Sequence, residues 1–229
     1  MVWIAALALA ALNTQVSQRN DVSCDLAPFV GGGSSNEGSL DTMNGLGLGC
    51  NMVLYDGGAW TLGPRLDFTE QRWTVFRDEG DATYFHSYQA RSLGLGFQAN
   101  YDLTEQWSLG YTLGFFKGQG AQDQNISTAT STQNLHLSGM DQSSLRHEFL
   151  VSRRMNERLS FLAAVQWDNA QQSWDAAAGR LEREDVAPGN ILTLTSGTGA
   201  DIEGRVSQSA DYQALSLKIG VQMKIYSTL

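Results

Sequence analysis

Between Arg91 and Phe115 the chain alternates residue by residue. The run Arg91-Ser-Leu-Gly-Leu-Gly-Phe-Gln-Ala-Asn-Tyr101 leads through the short connector Asp102-Leu-Thr-Glu-Gln106 into Trp107-Ser-Leu-Gly-Tyr-Thr-Leu-Gly-Phe115. From Leu93 onward every second residue is apolar, and outside the connector the residues between are Gly, Ser, Thr, Asn or Gln. A period of two puts these two sets on opposite faces of a β-strand, one greasy and one small or polar. A soluble barrel would carry bulky apolar side chains inside and charges outside. Here the small polar face suits a narrow lumen, and the aromatic face suits lipid.

The pattern recurs along the chain. A first strand over Asp25-Leu-Ala-Pro-Phe-Val-Gly31 precedes a second over Leu46 to Tyr55, and Asp56-Gly57-Gly58 signals a hairpin because Gly adopts positive φ without steric cost. The third strand, Trp60 to Val75, places Trp60, Leu62, Leu66 and Phe68 outside and Arg65 and Asp67 inside, with Pro64 weakening its ladder locally. An acidic loop, Arg77 to Thr83, leads to the fourth and fifth strands quoted above. The turn-rich, low-complexity stretch Gly118 to Gln133 is expected to be a mobile exposed loop. The sixth strand, Leu145 to Arg153, meets the seventh, Leu159 to Asp168, across the short Arg154-Met-Asn-Glu-Arg158. After the longest connector, Trp174 to Ser209, the eighth strand runs from Tyr212 to Tyr226 with Leu215, Leu217, Ile219, Val221, Met223 and Ile225 on one face. Three short turns at one end and four longer connections at the other describe an all-β, eight-stranded antiparallel up-and-down transmembrane β-barrel. Both chain ends fall on the short-turn side.

Composition narrows the classes. Charged residues are 17% of the chain, yet no later segment approaches the roughly 18 continuous apolar residues of a membrane-spanning helix. The formal charge of -9, without a basic patch interleaved with aromatics, disfavours nucleic acid as a partner. Val2 to Leu12 has the length of a signal-peptide core and is followed by polar Asn13 to Gln18, so residues 1–18 read as an export signal and 19–229 as one barrel domain. No Lys or Arg precedes the apolar run, which leaves a retained hydrophobic helix as the alternative. Cys24 and Cys50 lie equally far from Glu37. In a hairpin centred there they would face each other as a disulfide candidate, a bond suited to an oxidising compartment. The alternative is two unrelated small apolar residues.

On these residues the mature chain resembles the small outer-membrane barrels typified by OmpA's membrane domain, OmpX and the opacity-type adhesins, and Tyr101-Asp-Leu-Thr-Glu-Gln-Trp-Ser-Leu109 is similar to their periplasmic turns. Leu62 to Phe68 has a local similarity to autotransporter barrels. The family resemblance implies an integral place in the bacterial outer membrane, with short turns and both termini periplasmic and the longer connections outside. Outer-membrane lipid and lipopolysaccharide would surround it, and a surface ligand or envelope protein would meet its loops. Members usually end on an aromatic residue, whereas here Tyr226 sits three residues before the terminal Leu229.

Parity turns Arg65, Asp67, Arg146, Glu148, Arg154, Asp168, Lys218 and Lys224 into the lumen. Buried charges persist when they pair, so these are expected to form an ion-pair network that plugs the barrel, a narrow ion or proton path being the alternative. Outward Trp60, Phe68, Tyr101, Trp107, Phe115 and Trp167 suit membrane-interface girdles. Of the histidines, His86 falls in the second long connection, His136 in the third, and His147 on the outward face of the sixth strand. His136 and Ser138 with Glu148 superficially resemble the His, Ser and Glu of outer-membrane lipid A deacylases. That chemistry needs a base within reach of the Ser and a carboxylate orienting the base, and Glu148 has lumen parity while the other two fall in a loop. Loop carboxylates such as Asp78, Glu79, Asp81, Glu182, Glu184 and Asp185 lack calcium-loop spacing, and no metal or cofactor set is recognisable. The reading is a non-enzymatic barrel presenting loops for adhesion, surface protection or envelope organisation. A lipid-modifying barrel enzyme, a narrow pore and a soluble ligand-binding barrel are the competing classes.

Overall fold

The computed structural model describes residues 21–226 except 37, 79, 81, 129–130, 175–178, 186–199 and 203–207, so the proposed export signal lies outside the described residues. In chain order the strands are β1 (Val22–Ser35), β2 (Gly38–Met52), β3 (Tyr55–Asp56), β4 (Trp60–Asp78), β5 (Ala82–Asp102), β6 (Trp107–Thr128), β7 (Ser131–Arg154), β8 (Leu159–Trp174), β9 (Gly179–Asp185), β10 (Ala200–Ile202) and β11 (Gln208–Tyr226). Strands β1, β2, β4, β5, β6, β7, β8 and β11 pair antiparallel in that order, and β11 returns to β1 to close an eight-stranded barrel without a free edge. The short β3 pairs with β4 beside the first turn, while β9 pairs with the start of β7 and β10 with β9, beyond the point where β8 leaves β7.

The short turns have local causes. Thr104 Oγ1 accepts from the backbone N–H groups of Gln106 and Trp107, and Asn156 Oδ1 from those of Arg158 and Leu159. In each case a side chain supplies the acceptor that the reversing backbone lacks. Asp56 and Gly58 do the same for the first turn, where Gly58 has φ +85°.

Outward positions form a belt. On β4 they are Trp60, Leu62, Pro64, Leu66 and Phe68, then Glu70 and Arg72; on β6, Trp107, Leu109, Tyr111, Leu113 and Phe115, then Lys117. Each strand changes from apolar to polar at the same step, at Glu70, Arg91, Lys117, Ser143, Asn169, Gln213, Gly32 and Asn44. Five outward residues occupy about ten residues of strand, which at a tilt near 40–45° spans about 25 Å, the height of a lipid-facing band. Leu95 at 69% and Phe97 at 65% exposed show how fully this wall faces outward.

The strands are longer than hydrophobic alternation predicts. Gly118 to Gln133, expected as a mobile loop, is the hairpin of β6 and β7, paired from Trp107↔Arg153 up to Ser127↔Thr132. Arg77 and Asp78 likewise end β4 and Thr83 lies in β5, directly opposite Asp78. Above the belt the outer face meets water, so its side chains turn polar and the period of two disappears from the hydropathy while the backbone ladder continues. Three of the four connections expected to be long are therefore strands that overshoot the belt.

Candidate functional site

The lumen is layered. At its centre Arg65 reaches Asp25 at 2.7 Å and Asp67 at 2.8 Å and donates to Gln98 Oε1 at 2.8 Å. Lys218 lies between Asp25 at 3.0 Å and Glu148 at 3.3 Å. One chain of alternating charge, Asp67, Arg65, Asp25, Lys218, Glu148, thus crosses the interior from β4 through β1 and β11 to β7. A second set joins β7 to β8, where Arg146 donates to Asp168 at 2.7 Å and Gln166 donates to the other carboxylate oxygen. Arg146 also sits over the Phe116 ring, 4.0 Å from its centroid. All of these charged side chains are buried. In such an interior a charge is tolerable when its partners and hydrogen bonds are in place.

Two residues assigned to this network lie elsewhere. Arg154 is exposed at the short-turn mouth, because β7 ends there and its last inward position faces the opening rather than the packed centre. Lys224 is also at that mouth and pairs with Asp21 at 2.6 Å. Asp25 and Asp21 belong to the lumen too, and the sequence signal for them is the inward parity they share with Ala27 and Phe29.

Toward the long-strand end the lumen carries aromatic rings. Trp73 stacks on Tyr88 with centroids 5.0 Å apart and lies 5.2 Å from Tyr212. The Tyr212 hydroxyl accepts from Gln71 at 2.9 Å and Gln142 at 3.0 Å, and Gln122 donates to the Tyr88 hydroxyl at 2.8 Å. Phe29, Leu40, Met43, Val75 and Met140 complete this buried layer. Toward the short-turn end a polar vestibule of about 830 Å³ opens outward, lined among others by Asp21, Asn51, Asn100, Ser152, Arg154 and Lys224. Gln98 links it to the centre by donating to Asn100, which donates to Thr61.

The outer wall places the six girdle aromatics at two levels. Trp60 and Tyr101 face each other in register, centroids 4.7 Å apart, next to the short turns, with Trp107 at the same end. Phe68, Phe115 and Trp167 are the last apolar outward residues before Glu70, Lys117 and Asn169. His147 faces outward within the belt, 2.7 Å from the Tyr111 hydroxyl and stacked on Trp167 at 5.3 Å. His86 lies in β5, not in a connection, and Gln122 is 3.4 Å from its Nδ1. Cys24 and Cys50 are opposite each other on β1 and β2 and form a disulfide.

No catalytic set assembles from the deacylase-like residues. His136 and Ser138 lie in β7 itself, and Glu148 follows His136 by twelve positions on that same strand. Twelve extended residues span roughly 40 Å, so Glu148 cannot orient His136. Among the described residues no group of three His, Cys, Asp or Glu could hold a metal ion.

No protein-family model and no curated protein sequence matches the chain. Among solved structures, the outer membrane protein OprG from Pseudomonas aeruginosa is 14% identical with a TM-score of 0.51, over 93% of this chain and 99% of that one. The attachment invasion locus protein Ail of Yersinia pestis is 10% identical over 89% and 99%, TM-score 0.42, and Neisserial surface protein A is 10% identical over 92% and 99%, TM-score 0.42. At such identities the likeness concerns the fold. The polar, ion-paired lumen and the apolar belt agree with it: the chain folds as an eight-stranded antiparallel transmembrane barrel of the small outer-membrane type.

Proposed function

We propose that the protein is a non-enzymatic barrel of the bacterial outer membrane, closed to transport, whose strands carry a rigid binding surface beyond the membrane. One observation carries this reading. The lumen is occupied at two levels by different chemistry, an ion-paired centre and the Trp73, Tyr88 and Tyr212 layer beyond it, while the polar vestibule opens at the short-turn end. An aqueous pathway would need to pass both. The projecting hairpins β4–β5 and β6–β7 replace flexible loops as the surface for adhesion, surface protection or envelope organisation. Short turns and termini then face the periplasm, as in barrels of this architecture.

The test is reconstitution. The folded chain should float with lipid vesicles, show heat-modifiable electrophoretic mobility and give no unitary conductance steps in planar bilayers. Stable conductance steps would overturn the closed lumen, and recovery in the soluble fraction without detergent would overturn the membrane reading.

A further inference from the structure

We propose that Cys24 and Cys50 are the modification site of a disulfide-bearing oxidant that acts on the chain before it enters the membrane, and that the lipid around the folded barrel then closes the bond to exchange. The inference rests on the membrane reading above and adds to it a reaction and its place in the order of assembly.

The two cysteines are directly opposite each other on β1 and β2 and are joined. The residues next to them, Asp25 and Gly49, face the lumen. Asp25 is buried against Arg65 and Lys218, and a Cβ on Gly49 would run into the Arg65 guanidinium. The period of two therefore turns Cys24 and Cys50 to the outer wall, in line with exposed Leu26 and Leu48. Across the ladders they meet Met223 on β11 and Leu66 on β4, both exposed on that same wall. Leu26 and Leu48 flank the pair toward the long-strand end, and Met52 and Leu62 continue the apolar wall toward the short turns. The bond thus lies inside the belt, with apolar side chains above, below and on either side.

That position conflicts with the chemistry that makes and breaks such a bond. In the oxidation, the thiolate of one cysteine attacks a sulfur of the oxidant's disulfide, giving a mixed disulfide and releasing one oxidant thiol. The other cysteine then displaces the second oxidant sulfur. The chain gives up two electrons and two protons, and the oxidant leaves as a dithiol. Each step needs an anionic sulfur at the reacting centre, and hydrocarbon does not accommodate a lone charge. At belt depth neither cysteine can attack an oxidant, and an external thiolate cannot reach the bond. The dithiol oxidation therefore belongs to the stage when the chain is still in water, in an oxidising compartment. One consequence is that β1 and β2 are linked in register before β11 closes the barrel on β1.

The experiment compares the native pair with cysteines moved one residue along the same two strands. Ser23 and Asn51 are directly opposite each other and line the vestibule, so Ser23→Cys/Asn51→Cys in a Cys24→Ser/Cys50→Ser background puts the bond on the aqueous face. Ser108→Cys/Ser152→Cys in that background is a second vestibule pair, its parent hydroxyls 2.7 Å apart. Each oxidised full chain is folded into lipid vesicles, checked by flotation and heat-modifiable mobility, and treated with reduced glutathione on both sides of the bilayer. Thiols are then read by a maleimide-polymer gel shift after denaturation. Reduction of the native bond should be about a hundredfold slower than that of either vestibule pair, whereas in urea all three are reduced alike. Tributylphosphine, a neutral and lipid-soluble reductant, should open the native bond in vesicles. In the other direction, the chain folded with its native cysteines reduced should stay reduced in oxidised glutathione, while the same chain in urea is oxidised. A native bond less than about tenfold slower than the vestibule pairs, or oxidation of the reduced folded chain, overturns the proposal. Protection of all three pairs, or resistance of the native bond to the phosphine, overturns it as well, because the fold and not the lipid would then be the shield. A chain that floats with vesicles but exchanges its native bond refutes this proposal alone, whereas one that does not float refutes the membrane reading too.

Discussion

Replacing Arg65 by Met tests whether the centre of the lumen is held by mutual neutralisation. Arg65 supplies the ion pairs that the structure gives Asp67 and one of the two made by Asp25, the other being Lys218. It also satisfies Gln98 Oε1. Met has nearly the same reach but no charge, so Asp67 is left buried beside an apolar chain while Asp25 retains Lys218. Removing one partner of a buried pair costs about 3–5 kcal/mol, mostly through the charge left behind rather than the bond lost. Arg65 and Asp67 are both almost fully enclosed, so solvent screening does not discount this figure. The companion change Asp67→Asn removes the orphan carboxylate. The double variant Arg65→Met/Asp67→Asn should then recover most of the loss, leaving about 1–2 kcal/mol for Gln98 and imperfect packing. Urea unfolding in vesicles, followed by tryptophan fluorescence and by heat-modifiable mobility, reads both variants against the parent. If Arg65→Met loses under about 1 kcal/mol, or if the double variant is as unstable as the sum of the singles, the network does not stabilise the barrel in this way.

Arg154 and Lys218 share lumen parity but not environment, so Lys218→Met should cost about 3–5 kcal/mol and Arg154→Gln less than about 0.5, compared by the same urea titration. Gly49 faces inward beside the network, and a Cβ there would lie 1.9 Å from Arg65 Nη2 and 2.4 Å from Asp67 Oδ1. Gly49→Ala should therefore push the guanidinium off its carboxylates and cost about 1–3 kcal/mol, checked by the same titration against Gly47→Ala, where the nearest atom is 3.7 Å away. The Cys24–Cys50 disulfide joins residues 26 apart, for which the chain-entropy model gives up to about 3.5 kcal/mol. Cys24→Ser/Cys50→Ser should lower the urea midpoint without altering the folded band in cold electrophoresis, and an unchanged midpoint would show that the closed barrel already constrains this hairpin.

The belt was legible because lipid enforces the period of two on every strand that crosses it; Trp60 to Phe68 and Leu215 to Ile225 each show it without interruption. The overshoot was not legible, since Gly118 to Gln133 has the composition of a loop and its strand character comes from the ladder with β5 and β7, which no local pattern records. Inward charges could be listed from parity, but parity fixes direction and not depth. Arg65 and Arg154 have the same parity, and only strand tilt and register decide that one meets Asp25 while the other meets the mouth. The aromatic layer was hidden for a related reason. Trp73 and Tyr88 face each other across the β4–β5 hairpin but Tyr212 joins them from β11, and the apolar set they form is inward where the outer face has ceased to be apolar.

That inversion is a consequence of the solvent on each side of the wall. Within the belt the outside is hydrocarbon, so apolar side chains contribute most there, and the interior can be polar provided its charges pair. Beyond the belt the outside is water, and an interior of Gln and Ser alone would leave the wall with no apolar burial at all. Trp73 stacked on Tyr88, with Met43, Val75 and Met140 around them, supplies that burial where lipid no longer does. The Gln71 and Gln142 amides on Tyr212 keep the layer hydrogen-bonded to its polar surroundings. Long projecting strands therefore need a packed apolar layer of their own to stand as a rigid sheet. The same rings that brace β4, β5 and β11 also occupy the passage, so under the proposed function display of a firm outer surface and closure of the lumen would follow from one packing requirement.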